Sequence, residues 1–164
     1  MMRTTFVCNA SPLIFLAKIE TLNFLDAYDI HVTSHVFDEI TRGFEKHAAD
    51  AAEILAYLNS RNISPVRVTF LANLPAFLGD GEKSVISFAV NKKIEHIFID
   101  EAKARTVARL YGLLPRGVLG ILWDTYQSGQ IQNSDLDILS LSLIEHGYRI
   151  KESLLIEFLK RIRG

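Results

Sequence analysis

The chain has 164 residues, of which 49% are apolar and 23% charged, enough for one sizeable core and too few for two ordinary ones. With 18 basic and 19 acidic side chains the net charge is -1, which excludes a surface that is basic all round but says nothing about a local basic strip. The single cysteine, Cys8, excludes an intrachain disulfide framework and a cysteine zinc site, and fits a reducing compartment.

Met1 to Val7 carries no signal-peptide pattern, and no apolar run approaches the roughly 18 to 20 residues of a membrane helix. The expectation is therefore a cytoplasmic protein with no membrane partner, folded as one domain over residues 1–164. Thr4 to Cys8 is β-branched and aromatic and reads as a buried strand. Ser11-Pro12 after it reads as a helix start, a hydroxyl to cap and then a residue pre-set for the first helical position. Ile30 to Thr33 is a second strand, and Ser34 opens a short helix through Ile40. Lys46 to Asn59 has helical character. Ile63 to Phe70 alternates and reads as a strand near an edge, because Pro65 cannot donate to a ladder.

Asp80 to Lys93 reads as a helix, and Ile94 to Ile99 as a strand ending at Asp100. A helix over Ala102 to Tyr111 stops at Gly112, followed by a short extended piece, Leu113 to Pro115. Val118, Leu119, Leu122, Trp123 and Tyr126 form a helical stripe, and two more helices run over Ser134 to His146 and Glu152 to Ile162. Strands alternating with helices predict an α/β fold with a parallel sheet covered on both faces. Functional groups of such sheets gather at the carboxyl ends of the strands.

Four places at or near those ends carry oxygen ligands: Asn9 and Ser11, Asp38-Glu39, Asp80-Gly81-Glu82, and Asp100-Glu101. Together they read as a site for Mg2+ or Mn2+, which prefer oxygen donors and assist phosphodiester cleavage. Singly, each has a plain structural alternative. Asp80 and Asp100 suit helix caps, Glu82 and Glu101 suit first helical turns, and Asp38-Glu39 suits a solvated face.

Several segments resemble a PIN domain. They are Val7 to Ile14 with Leu16 to Ile19, Val36 to Ile40, Leu78 to Glu82, Ile97 to Glu101 with Ala104-Arg105 and Ala108, Gly117 to Leu122, and Glu145 to Ile150. The resemblance is closest to an uncharacterised prokaryotic branch of predicted nucleic-acid-binding PIN proteins. It implies a three-layer α/β/α sandwich with a central parallel sheet. It also implies a Mg2+- or Mn2+-dependent ribonuclease, including the toxin type of toxin–antitoxin pairs. By motif, Asn9, Glu39, Glu82 and Asp100 take the acidic positions, Ser11 the small hydroxyl position, and Glu101 is a neighbour that adds to a metal set of Glu39, Glu82 and Asp100. A homodimer and a small antitoxin partner are implied as well.

The sequence departs from the family pattern at Asn9, where active PIN nucleases usually carry Asp. An amide oxygen can ligate a hard cation but brings no charge and accepts no proton. An inactive module that binds RNA or a protein is the alternative reading. Lys103, Arg105, Arg109 and Arg116 make the acid-free segment from Ala102 to Gly117 carry +4 beside Asp100. They are the expected phosphate contacts for single-stranded RNA. At the C-terminus, Arg149, Lys151, Lys160, Arg161 and Arg163 against Glu152 and Glu157 read as an ordinary helix end.

Overall fold

A computed structural model describes residues 2–150 and 152–163. Five short strands, β1 (Thr5–Cys8), β2 (Asp29–Thr33), β3 (Pro65–Val66), β4 (His96–Phe98) and β5 (Leu114–Arg116), form one sheet in the order β3-β2-β1-β4-β5. Every pairing in it is parallel. Around it lie α1 (Ala10–Lys18), α2 (Ser34–Arg42), α3 (Phe44–Ser60), α4 (Asp80–Asn91), α5 (Ala102–Leu110), α6 (Val118–Gln127), α7 (Asn133–Glu145) and α8 (Glu152–Arg163). The result is the expected α/β/α sandwich. No helix among the described residues is long and apolar enough to cross a membrane.

The two inner strands carry the core. Phe6, Val7 and Cys8 of β1 and Ile97 and Phe98 of β4 are buried, as parallel strands between helical layers require. Phe6 stacks on Phe98 with ring centroids 3.9 Å apart, and Tyr28 meets both rings edge-on. Trp123 and Tyr126, on the predicted stripe of α6, pack against this core.

The chain winds outward from β1 through β2 to β3, then crosses back through α4 to β4 on the other side of β1. Connections from β1 and β4 therefore leave in opposite directions. That reversal opens a crevice at the carboxyl ends of these two strands, the usual ligand position in an open parallel sheet. The Asn9 N–H donates to the Phe98 carbonyl at 2.9 Å and holds the two strand ends together.

Three expectations change. Asn9, not Ser11, occupies the cap position of α1, so the helix starts before the Ser-Pro pair. The extended strand predicted from Ile63 to Phe70 pairs with β2 only at Pro65 and Val66. Its alternation reflects one side resting on the protein, with β3 at the edge of the sheet among the described residues. Leu114 to Arg116 is a fifth strand rather than a loose extended piece, because it finds β4 as a partner.

Candidate functional site

The crevice is lined by Asn9, Ser11, Phe15, Glu39, Glu82 and Glu101, around a cavity of about 370 Å3. Asn9 reaches it because β1 ends there. Its side chain makes no capping hydrogen bond to α1, an unusual choice for an Asn at a cap. Its Oδ1 is buried and has no hydrogen-bond partner.

Glu39 comes from the middle of α2, and Glu82 from the first turn of α4. The two helices meet at Gly81. A Cβ there would stand 2.5 Å from Glu39 Oε1 and 3.5 Å from Asn9 Oδ1. Any larger residue at 81 would make the Glu39 carboxylate shift from this position. The Gly79 N–H donates to Glu82 Oε1 at 3.0 Å, and the Ala104 N–H donates to Glu101 Oε2 at 2.7 Å. Each of these acids thus caps a helix with one oxygen while lining the cavity.

Asp100 follows β4 and is not the cap of α5; Glu101 is. Asp100 Oδ1 accepts hydrogen bonds from the Val118 N–H at 2.9 Å and the Tyr148 hydroxyl at 2.8 Å. Its Oδ2 is buried with no hydrogen-bond partner. Burial pushes the Asp100 carboxyl above the usual carboxylate range, opposed by Val118, Tyr148, the Arg105 charge and the nearby Ser11 hydroxyl. Glu39 is raised by burial, then by the charges of Glu82 and Asp80, against a lowering by Arg42. Glu82 is raised by burial and by Glu101, against the Gly79 N–H.

These raised carboxyls set a pH dependence. A carboxyl that holds its proton more tightly when folded stabilises the fold below its unfolded value and loses that contribution as pH rises through its folded value. The metal-free protein is therefore expected to lose melting temperature as pH rises above the ordinary carboxylate range, where these raised groups ionise. Thermal melts across this rise in pH check it, and Glu39→Gln should show a shallower loss. Equal slopes for the two proteins would count against the acids as the cause.

The basic residues separate. Arg105 borders Asp100 and lines an adjoining cleft of about 700 Å3 together with Glu101, Tyr148, Arg149 and Arg161. Lys103 is exposed beside the Phe77 ring, 5.9 Å from its centroid. Arg109 is exposed in the last turn of α5. Arg116 is tied to Asp124 at 2.7 Å and to the Gly120 carbonyl at 3.1 Å, and Tyr28 donates to the same Asp124 oxygen. Of the four predicted phosphate contacts, the cleft collects Arg105 alone. Lys103, Arg109 and Arg116 line neither cavity, and Arg116 instead holds β5 to α6.

Sequence reasoning passed over Arg149, Arg161 and Tyr148. The arginines looked like helix-end charge, and Tyr148 lies 48 residues from Asp100, so no local spacing relates the two. Lys151 lies outside the described residues, as do the side chains of Glu152 and Arg163.

Among the described residues, no three His, Cys, Asp or Glu side chains converge into a metal-binding cluster. The donors still suit a hard cation. Two buried oxygens at neighbouring strand ends, Asn9 Oδ1 and Asp100 Oδ2, lack partners, and Glu39 and Glu82 stand beside Asn9. Mg2+ commonly takes one or two carboxylates and keeps several waters, so a closed cage of acids is not required.

A family model described as a PIN domain matches residues 5–163. Searches of the curated proteins and of the solved structures returned no match. PIN domains are associated with nuclease-type activity on nucleic acid and generally use divalent metal ions. The matched stretch takes in every strand and all the crevice acids, and the chain belongs to the PIN-domain family.

Proposed function

We propose that the protein is a divalent-metal-dependent endoribonuclease acting on single-stranded RNA. The observation that carries this reading is the buried, unpartnered Asn9 Oδ1 in a cavity shared with Glu39, Glu82 and Glu101, with the equally bare Asp100 Oδ2 at the neighbouring strand end and Glu101 lining both that cavity and the cleft of Asp100. Burying a bare acceptor costs free energy unless something supplies a positive partner. Asp100, Glu39 and Glu82 would hold Mg2+ or Mn2+, with Glu101 at the rim and the Asn9 amide as a neutral donor. When bound, the cation supplies an activated water and neutralises charge on the phosphate.

The chain's own residues bind and orient. Ser11 lines the same cavity and would offer its hydroxyl to a phosphate oxygen. Arg105, with Arg149 and Arg161 in the adjoining cleft, would contact the backbone on one side of the scissile phosphate. A narrow crevice bordered by a few cations suits a flexible single strand better than a duplex.

The test is cleavage of a labelled single-stranded RNA by purified protein. Cutting is expected with Mn2+ or Mg2+, none with excess chelator, and markedly slower cutting of the same RNA annealed to its complement. Cleavage no faster than that of Asp100→Asn would end the reading.

Asn9 favours a second reading, a module that binds RNA or a protein without chemistry, because it removes one charge from the metal side. Calorimetry with Mn2+ separates the two. Salt-sensitive RNA binding with no heat of metal binding would favour the module. The resemblance extends the first reading to a cytoplasmic toxin, a homodimer held in check by a small antitoxin.

A further inference from the structure

Asp100 is held asymmetrically. Its two well-formed hydrogen bonds both fall on Oδ1, one from the backbone of Val118 and one from the Tyr148 hydroxyl, while Oδ2 is buried without such a bond and the Ser11 hydroxyl is the remaining side chain that steadies the carboxylate. The atoms around Oδ1 crowd a single point. A Cβ on Gly117 would lie 2.5 Å from Asp100 Oδ1, 3.2 Å from Arg105 Nη1 and 3.4 Å from the Tyr148 hydroxyl. The absence of a side chain at Gly117 is what leaves room for Asp100 Oδ1 beside the guanidinium and the phenol.

Tyr148 is itself fixed from two sides. Gly147, with φ of 90°, turns the chain out of α7, and the Tyr148 N–H returns to the Leu143 carbonyl at 2.9 Å. Its ring stands edge-on to Phe15, 5.1 Å between centroids, and Phe15 also lines the acid cavity. The phenol therefore arrives at Asp100 from a turn that is 48 residues away in sequence.

A carboxylate with one oxygen saturated and the other free is set up to offer that second oxygen to a cation in one orientation. Outer partners of this kind fix a ligating carboxylate much as they fix a ligating histidine. We infer that Tyr148 is a positioning residue for the metal-binding carboxylate of Asp100, with Gly117 as the clearance that Asp100 Oδ1 needs in that position. The inference rests on the nuclease reading of this crevice, and it adds a residue outside the set of acids. Tyr148 touches neither RNA nor cation in this role; it acts by holding Asp100.

The test is Tyr148→Phe, which keeps the ring on Phe15 and removes only the hydroxyl. Mn2+ affinity, read by calorimetry or by the free-Mn2+ paramagnetic signal, is expected to fall about 10- to 100-fold, the usual loss when an outer partner of a ligand is removed. The kcat for RNA should fall with it while KM changes little, and the melting temperature should stay close to wild type. Gly117→Ala is the second variant. It leaves the phenol in place but pushes on Asp100 Oδ1, and should lower Mn2+ affinity in the same range. A Tyr148→Phe protein that melts lower but binds Mn2+ like wild type would show a merely structural tether and overturn the inference. If Asp100→Asn loses Mn2+ while Tyr148→Phe does not, Tyr148 alone is wrong. If wild type binds Mn2+ no better than Asp100→Asn, the metal reading fails and Tyr148's role with it.

Discussion

Asp100→Asn is expected to cut RNA cleavage by about three orders of magnitude. A catalytic cation contributes several kcal/mol of charge stabilisation, and each 1.36 kcal/mol is about tenfold in rate. The substitution is specific because an asparagine oxygen can still accept from Val118 and Tyr148, as Asp100 Oδ1 does. What changes is the bare Oδ2, which becomes an amide donor that repels a cation. The fold should hold, since the variant removes a buried carboxylate whose ionised form is disfavoured by its surroundings. A metal-free melting temperature at or above wild type, together with lost Mn2+ binding, would complete the case. A folded variant that cleaves at the wild-type rate would remove Asp100 from the mechanism.

Asn9→Asp should pull stability and activity in opposite directions. Asn9 is buried, and a carboxylate in its place would stand near Glu39 across Gly81. Without metal, burying that charge beside another acid costs several kcal/mol less whatever relaxation recovers. A net loss of about 2–3 kcal/mol would lower the melting temperature by about 5–10 °C in a chain of this size. Mn2+ should reverse the loss, because a ligand that binds only the folded state stabilises it by mass action. Affinity for Mn2+ and the cleavage rate should both rise, about tenfold or more, as a neutral donor becomes a charged one. The decisive pair of measurements is the melting temperature with and without Mn2+ and the rate at saturating metal. A variant that gains no Mn2+ affinity would show that position 9 does not face the cation. A gain in affinity with no gain in rate would support a site that binds metal without using it.

Much of the architecture was legible in the chain. The runs Thr4 to Cys8 and Ile94 to Ile99 read as strands and contain the observed Thr5–Cys8 and His96–Phe98, and the helical stripe from Val118 to Tyr126 packs on the core as its period implies. The acids and Asn9 at the ends of strands and starts of helices were visible for the same reason, since local signals mark where elements begin and stop. The boundaries were less secure where two local rules competed. Ser11-Pro12 looks like a helix start, yet Asn9 takes the cap because β1 ends one residue earlier and its N–H is already engaged by Phe98.

Roles that depend on distance in the fold were not legible. Nothing near Arg116 in sequence says that Asp124, which also accepts from Tyr28, will occupy it, while Arg149 and Arg161 remain for the cleft. Gly81 and Gly117 read as punctuation until the fold shows which side chains they let approach.

The sequence by itself determined the alternation of strands and helices, the supply of oxygen donors for a hard cation, and the missing charge at Asn9. Those follow from side-chain type and local spacing. The tertiary structure decided which oxygens stay bare, which cations stay free, and that a tyrosine from beyond α7 closes on Asp100. Those follow from the reversal of winding between β1 and β4, which brings together groups that no local rule relates.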